Sequence, residues 1–384
     1  MRIVYLLTSL GVGGAEKQAL AVAERMASRG HAVAILVLMP RLDEEWPTAI
    51  HTIHHDIRKT PASVLNGFMH SRAFLREFRP DLVHSHCFHS NILARVLRFF
   101  GPKFVVLSTV HNVYEGGRSR MMAYQLTDGL SSRTVAVSQA AAERFIRLKA
   151  VPAQKCTVIL NGIDVDGFVP DAARGASMRA AMGIAAGSAT FVWLAVGRLA
   201  PAKDYPNLLR AFAAVRAEKP DAQLWVAGDA RGDQKTPLEA LAKELQIDGA
   251  VRWLGLRRDM PALFDAADAF VSGSAWEGMP LAVGEAMCMA KPVVVTDVGG
   301  VRELVGETGV VVPPKNYGAL AAAMLETMQL SRELLDARGG AARERILRCF
   351  SMDATAESWR ALYDLLLANR ERSAVGEPAP ISKN

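Results

Sequence analysis

Two doubly wound α/β domains are what this sequence predicts, on three observations. Strand and helix signals alternate along almost all of the 384 residues. The strand candidates are continuous apolar runs, as strands covered on both faces should be. Charge is also split: residues 1–165 hold 20 Lys+Arg against 12 Asp+Glu, and the remainder 25 against 27, within a net +6. All nine histidines fall in the first part, the last being His111. Two halves with different electrostatics suggest two domains with different partners.

Arg2–Leu7 is the first apolar run and reads as a buried parallel strand. A glycine turn follows, then a helix from about Ala15 to Ser28, which Gly30 terminates. His31–Met39 is the next strand, and Leu82–His84, Phe104–Leu107 and Thr134–Val137 continue the set. After a looser stretch at about 164–188, a second set begins with Thr190–Val196. Gln223–Ala227, Val251–Leu254, Ala269–Ser272, Pro292–Thr296 and Val310–Val312 follow it. Thr236-Pro-Leu-Glu239 reads as a capping box with proline at the first helical position. Asp353–Leu367 reads as a terminal helix. The expected boundaries are 1–168 joined by a helix at 353–370, then 169–352, then a flexible polar tail at 371–384.

Composition excludes several classes. No run of 18 apolar residues exists, so no membrane-spanning helix is expected. The N-terminus has one basic residue and no convincing cleavage site, so a first strand fits it better than a signal peptide. Cys87, Cys156, Cys288 and Cys349 lack C-x-x-C spacing, which fits a reducing, cytoplasmic setting and no zinc site. Nothing in the sequence suggests a nucleic-acid partner.

Ligands of open α/β sheets bind beyond the carboxyl ends of the strands, so chemistry is sought there. Gly11-Val-Gly-Gly14-Ala-Glu16 follows the first strand. Read as a dinucleotide fingerprint, its third glycine would fall at Glu16, and the next strand ends at Leu38-Met-Pro40 without a ribose-binding acid. His84-Ser-His-Cys-Phe-His89 could suggest a metal, but no acidic partner lies close in sequence. His111, in Thr109-Val-His-Asn112, also follows a strand. It is either a group that donates a hydrogen bond to a ligand or a satisfied loop histidine. Arg198 ends a strand and Lys203 precedes a helix in Val196-Gly-Arg198-Leu-Ala-Pro-Ala-Lys203-Asp. Both charges can converge on a diphosphate, Arg as a planar fork and Lys as a point charge.

The most informative segment is Ser274-Ala-Trp-Glu-Gly-Met-Pro-Leu-Ala-Val-Gly-Glu285-Ala, with Glu277 and Glu285 eight residues apart. Gly278 permits a tight turn, Pro280 suits a first helical position, and Leu281–Met289 reads as a buried helix. The amides around Gly278, Met279 and Leu281 would then receive an anion. Carboxylates flanking that mouth would accept hydrogen bonds from hydroxyls. A phosphate site flanked by hydroxyl acceptors suggests a nucleotide-sugar; a surface acid beside a capped core helix is the plainer alternative.

The E-x7-E spacing resembles that of retaining glycosyltransferases of the GT4 family, whose fold is GT-B. So do the Gly13-Gly14-Ala-Glu16 turn, the Gly197-Arg-Leu-x-x-x-Lys203 element and the Asn161-Gly-Ile-Asp-Val-Asp-Gly-Phe168 segment. The resemblance covers nearly the whole chain; Met279 stands where many members carry phenylalanine. It implies two Rossmann-like domains facing across a deep cleft, with the terminal helix returning to the first. The first domain would bind the acceptor. The second would bind a UDP- or GDP-linked sugar through Arg198, Lys203, Leu256, Glu277, Gly278, Met279, Pro280, Leu281 and Glu285. Gly13 and Gly14 would approach the donor phosphate or the acceptor, and His111 the transferred sugar. Arg198, Lys203 and Glu277 would then serve hexosyl transfer with His111, without a cofactor or metal, so Asp164 and Asp166 are not expected to bind one. Two other readings stay open: a sugar-nucleotide epimerase of the same architecture, and a non-catalytic sugar-nucleotide-binding subunit.

The acceptor that the family's habit implies is a lipid-linked glycan, as in lipopolysaccharide or polysaccharide assembly. Asn91-Ile-Leu-Ala-Arg95-Val-Leu-Arg98-Phe-Phe100-Gly-Pro-Lys103 mixes basic residues with phenylalanines, and a helix beginning at Ser138 carries Arg144, Phe145, Ile146, Arg147 and Lys149. Such segments can sit on an anionic membrane at the inner face, or be core helices with solvated charges.

Overall fold

The computed structural model describes residues 1–42, 45–58, 60–230 and 232–375. The chain forms two compact units, Met1–Gly162 with the chain from Met352 onward, and Ile163–Ser351. In the first unit seven strands lie parallel in the order β3-β2-β1-β4-β5-β6-β7. They are β1 Arg2–Leu7, β2 Ala32–Val37, β3 His51–His54, β4 Leu82–His86, β5 Val105–Val110, β6 Arg133–Ala136 and β7 Cys156–Val158. Helices α1 Gly14–Ser28, α2 Pro61–Phe78, α3 Cys87–Phe100, α4 Arg118–Thr127 and α5 Gln139–Arg147 connect them. The central strands are buried end to end from Ile3 to Leu7 and from Val105 to Val110, which is why Ile3–Leu7 and Val105–Leu107 read as apolar runs, while the buried Ser108 and Thr109 interrupt the second.

The second unit carries β8 Val192–Val196, β9 Gln223–Ala227, β10 Val251–Gly255, β11 Ala269–Ser272, β12 Val293–Thr296 and β13 Val310–Val312. They form a parallel sheet in the order β10-β9-β8-β11-β12-β13. Its helices are α6 Ala172–Ala181, α7 Tyr205–Glu218, α8 Lys235–Glu244, α9 Met260–Ala266, α10 Leu281–Cys288, α11 Val301–Val305, α12 Tyr317–Met328 and α13 Arg332–Cys349. Helix α14, Met352–Val375, belongs to the first unit, where Arg25 pairs with Asp353 at 2.6 Å and the hydroxyls of Tyr5 and Tyr363 meet at 3.1 Å. In each sheet the order reverses beside its first strand, at β1/β4 and at β8/β11. Those reversals open a crevice beyond the strand ends, the usual ligand position in such sheets.

Several local expectations change. The units divide after Gly162, not after 168, because the Ile163 amide donates to Phe350 O at 2.7 Å and Cys288 Sγ donates to Phe168 O, both within the second unit. Thr236 is not an N-cap: α8 starts at Lys235 behind Gln234, and Glu239 pairs with Lys235 at 2.9 Å. Pro280 is the N-cap of α10 rather than its first residue. Residues 371–375 continue α14, since its register keeps extending, whereas 376–384 lie outside the described residues. The short strands β3 and β7 carry too few apolar residues to stand out in sequence and owe their place to pairing with β2 and β6.

Candidate active site

In the second unit the reversal point is occupied by the loops after β8 and β11. Gly197 follows β8 with φ 153°, and its carbonyl accepts from the Tyr205 hydroxyl at 2.6 Å. A Cβ there would meet Lys203 Cε at 2.7 Å, so glycine leaves room for the lysine stem to fold back over the strand end. Lys203 ends a short 3-10 turn, Pro201–Lys203, whose Ala202 carbonyl accepts from the Ala275 amide at 2.8 Å. That bond ties the loop after β8 to the loop after β11.

Across this junction Lys203 Nζ donates to Glu277 Oε1 at 2.6 Å, and Ser274 Oγ donates to the same oxygen at 2.8 Å. Glu277 is buried at 9% exposure, with the Lys203 side chain 23% exposed. A carboxylate this sheltered needs such partners. Lys203 has three N–H donors and spends one on Glu277, leaving two for a further anion. The turn after Glu277 is closed from below: Gly300 N donates to Gly278 O at 2.6 Å, and a Cβ on Gly299 (φ 56°) would collide with the carbonyls of Glu277 and Gly278. Helix α10 then begins at Leu281, and its first-turn amides have no partner within the helix. Glu285 is buried within α10, and Arg198 is exposed at the end of β8. Leu256 is half-buried in the loop after β10, beside Gly255, whose carbonyl accepts from Gly228 N.

Residues 12–166 match Glycosyltransferase Family 4, and residues 190–329 match Glycosyl transferases group 1. The chain is a glycosyltransferase of the GT-B type. Among relatives, the D-inositol 3-phosphate glycosyltransferase of Kineococcus radiotolerans is 28% identical over 95% of this chain and 93% of its own. The UDP-Gal:alpha-D-GlcNAc-diphosphoundecaprenol alpha-1,3-galactosyltransferase of Escherichia coli is 28% identical over 59% of this chain, which spans only 60% of that relative. In fold, the Anabaena protein HepE solved with UDP-glucose superposes with a TM-score of 0.82 at 22% identity, covering 97% of this chain and 100% of that one.

In this glycosyltransferase the other predicted residues lie on the first unit. Gly13 caps α1 without a side-chain bond, and Glu16 in the first helical turn accepts from Ser9 Oγ at 2.9 Å. Gly14, the first residue of α1, is exposed. His111 follows β5 and is half-buried; its Nε2 lies 2.8 Å from His86 Nδ1. His84 bonds Tyr363 and Thr109, each at 2.7 Å. Burial holds His84 and His86 well below the ordinary histidine pKa and His111 at about 4, so these rings are neutral near pH 7.

Sequence reasoning missed Glu115. It is buried, accepts from His111 N at 3.0 Å and from the Tyr124 hydroxyl at 2.7 Å, and so fixes the His111 loop to α4. Only its spacing of four from His111 hinted at this. Desolvation raises its pKa to about 7, against the lowering effects of Tyr124, the His111 amide and Arg120. The fold therefore keeps a proton on Glu115 between about pH 4.5 and 7 where the unfolded chain has lost it, and stability falls as pH rises through that window. Glu115→Gln removes the titration, keeps one acceptor oxygen for the His111 amide and replaces the other contact with an amide N–H that can donate to the Tyr124 oxygen. The difference in melting temperature between variant and wild type should shift in favour of the variant as pH goes from 5 to 7.5; scans at four pH values would check it.

Proposed function

We propose that the chain is a retaining, metal-independent hexosyltransferase that moves a sugar from a UDP- or GDP-linked donor to a lipid-linked glycan. The observation that carries this is the Lys203–Glu277–Ser274 cluster at the β8/β11 reversal, beside the amides that open α10. On this reading Lys203, Arg198 and the amides of Gly278, Met279 and Leu281 hold the donor diphosphate and stabilise it as it leaves. Glu277 accepts from hydroxyls of the transferred sugar and Glu285 from the ribose, while Leu256 lines the base. Gly13, Gly14 and His111 serve from the first unit, where the acceptor binds. The acceptor hydroxyl attacks from the side the diphosphate leaves, and a donor phosphate oxygen takes its proton, so no carboxylate acts as general base. The E. coli relative takes UDP-galactose and a diphosphoundecaprenol-linked sugar, and HepE binds UDP-glucose, which supports UDP-sugars and a polyprenyl-linked acceptor. Surface polysaccharide or lipopolysaccharide assembly at the cytoplasmic face is the pathway class these suggest.

The test is release of free nucleoside diphosphate from UDP- and GDP-hexoses, with and without a polyprenyl-diphosphate-linked saccharide, in the presence of EDTA. We expect release that requires the acceptor and survives the chelator. Donor isomerised without acceptor would indicate an epimerase, and binding without release a non-catalytic subunit. Loss in EDTA restored by magnesium or manganese would turn attention back to Asp164 and Asp166.

We also propose contact with an anionic membrane, although the structure changes which residues could make it. Arg95 is wholly buried, donating to Tyr124 O, Thr127 Oγ1 and Thr134 Oγ1, and Phe145 is core, because both point inward from their helices. Arg98 is half-buried on Ser132. What remains outward is Phe99 at 67% exposure, with Phe100, Lys103, Arg147 and Lys149 and, on α2, Val64, Leu65, Met69 and Arg76. Among the described residues no helix is long and apolar enough to cross a membrane. Flotation with anionic liposomes should occur at low salt and weaken at high salt, since charges near lipid contribute about 1 kcal/mol each and are screened. No flotation at low salt would remove the membrane claim and leave the transferase claim standing.

A further inference from the structure

Three of the nine histidines, His84, His86 and His111, share one face of the first unit's sheet. His84 and His86 alternate along β4, Thr109 is the register partner of His86, and His111 stands two residues further on. His86 is held from several sides. Tyr5 of β1 stacks on it (centroids 6.0 Å, 16°), His84 lies 4.1 Å away between ring centroids, and His111 lies 5.1 Å away. The chain turns sharply out of β4 at Cys87, a non-glycine residue at φ 67°, so the strand end carrying His86 is backbone-strained and fixed. From α14, Tyr363 engages His84, and from the loop beyond β5, Glu115 engages the His111 amide.

The bond between His86 Nδ1 and His111 Nε2 needs one proton between two neutral rings. Two tautomer pairs satisfy it. In one, His111 Nε2–H donates, which puts the other proton of the pair on His86 Nε2. That nitrogen is buried, finds no protein partner, and cannot use His84, whose two nitrogens are engaged by Tyr363 and Thr109. In the other, His86 Nδ1–H donates and only a lone pair is left bare at Nε2. A buried N–H without a partner is the rarer and costlier defect. The second pair therefore wins, and His111 must then carry its own proton on Nδ1, which bonds no protein group among the described residues.

We propose that His86 is a positioning residue that locks His111 in the Nδ1–H tautomer, so that His111 offers an N–H donor rather than an acceptor to a ligand oxygen. That this oxygen belongs to the sugar or its acceptor rests on the function proposed above; the tautomer does not. The test has two arms on the full chain. Nitrogen NMR of ring-labelled histidine, assigned with His86 and His111 variants, should show a protonated Nδ1 and a bare Nε2 on both residues. A proton on His111 Nε2 would overturn the proposal. In the second arm, His86→Leu should lower turnover at least about tenfold with donor KM little changed. His86→Asn, whose amide nitrogen falls near the position of Nδ1 and can donate to His111, should restore most of it. Equal turnover in wild type and His86→Leu would overturn the positioning role even with the tautomer as expected. Should His86→Leu not fold, a His86→Asn variant with the same His111 ring signature and near-normal turnover would support the proposal, and one with a switched signature and unchanged turnover would overturn it. If wild type transfers no sugar, the transferase reading fails and the NMR arm alone decides the tautomer.

Discussion

Lys203→Ala should slow sugar transfer at least about tenfold, a loss of roughly 1.4 kcal/mol of transition-state stabilisation. The reason is double. The variant removes a charge aimed at the departing diphosphate, and it leaves Glu277, whose oxygen Lys203 holds at 2.6 Å, with Ser274 as its remaining partner there. The donor-free melting temperature should fall as well, because the Glu277 side chain is only 12% exposed and loses its paired cation, so rates are compared on variant protein shown to be folded by circular dichroism. Steady-state kinetics indistinguishable from wild type would take Lys203 out of the site.

Glu277→Gln and Glu285→Gln should separate by what they damage. A charge-assisted hydrogen bond contributes about 1.5–3 kcal/mol, so Glu277→Gln should cut transfer roughly 10- to 100-fold. Its effect on binding of the bare nucleoside diphosphate should be smaller. Glu285, inside α10, should show the reverse: Glu285→Gln weakens binding of that product. Calorimetry with UDP and GDP beside transfer rates decides the order, and an inverted ranking would exchange the two roles.

Much of the fold was legible because buried parallel strands are largely apolar, as Ile3–Leu7 of β1, Val105–Leu107 of β5, β8 and Val293–Val295 of β12 are. The edge strands β3 and β7 were not, since His51–His54 and Cys156–Val158 acquire strand geometry only from their neighbours. The Lys203–Glu277 contact joins residues 74 apart and depends on β8 and β11 lying side by side, which no local pattern encodes. Arg95 misled for the same reason: helical spacing does not say which face meets the sheet, and its guanidinium turned inward to hydroxyls and a carbonyl. Glu115 stayed hidden because a loop glutamate looks solvated until burial and the Tyr124 bond are seen.

The claim at the centre is that the second unit binds a nucleotide-diphospho-sugar at the β8/β11 reversal. Thermal-shift titration of the full chain with UDP-, GDP- and ADP-sugars tests it most directly. One donor class should raise the melting temperature, adding about 2.7 kcal/mol at 100 times its dissociation constant. That shift should shrink in Lys203→Ala. No shift with any donor at millimolar concentration, or a full shift that Lys203→Ala leaves untouched, would contradict the account.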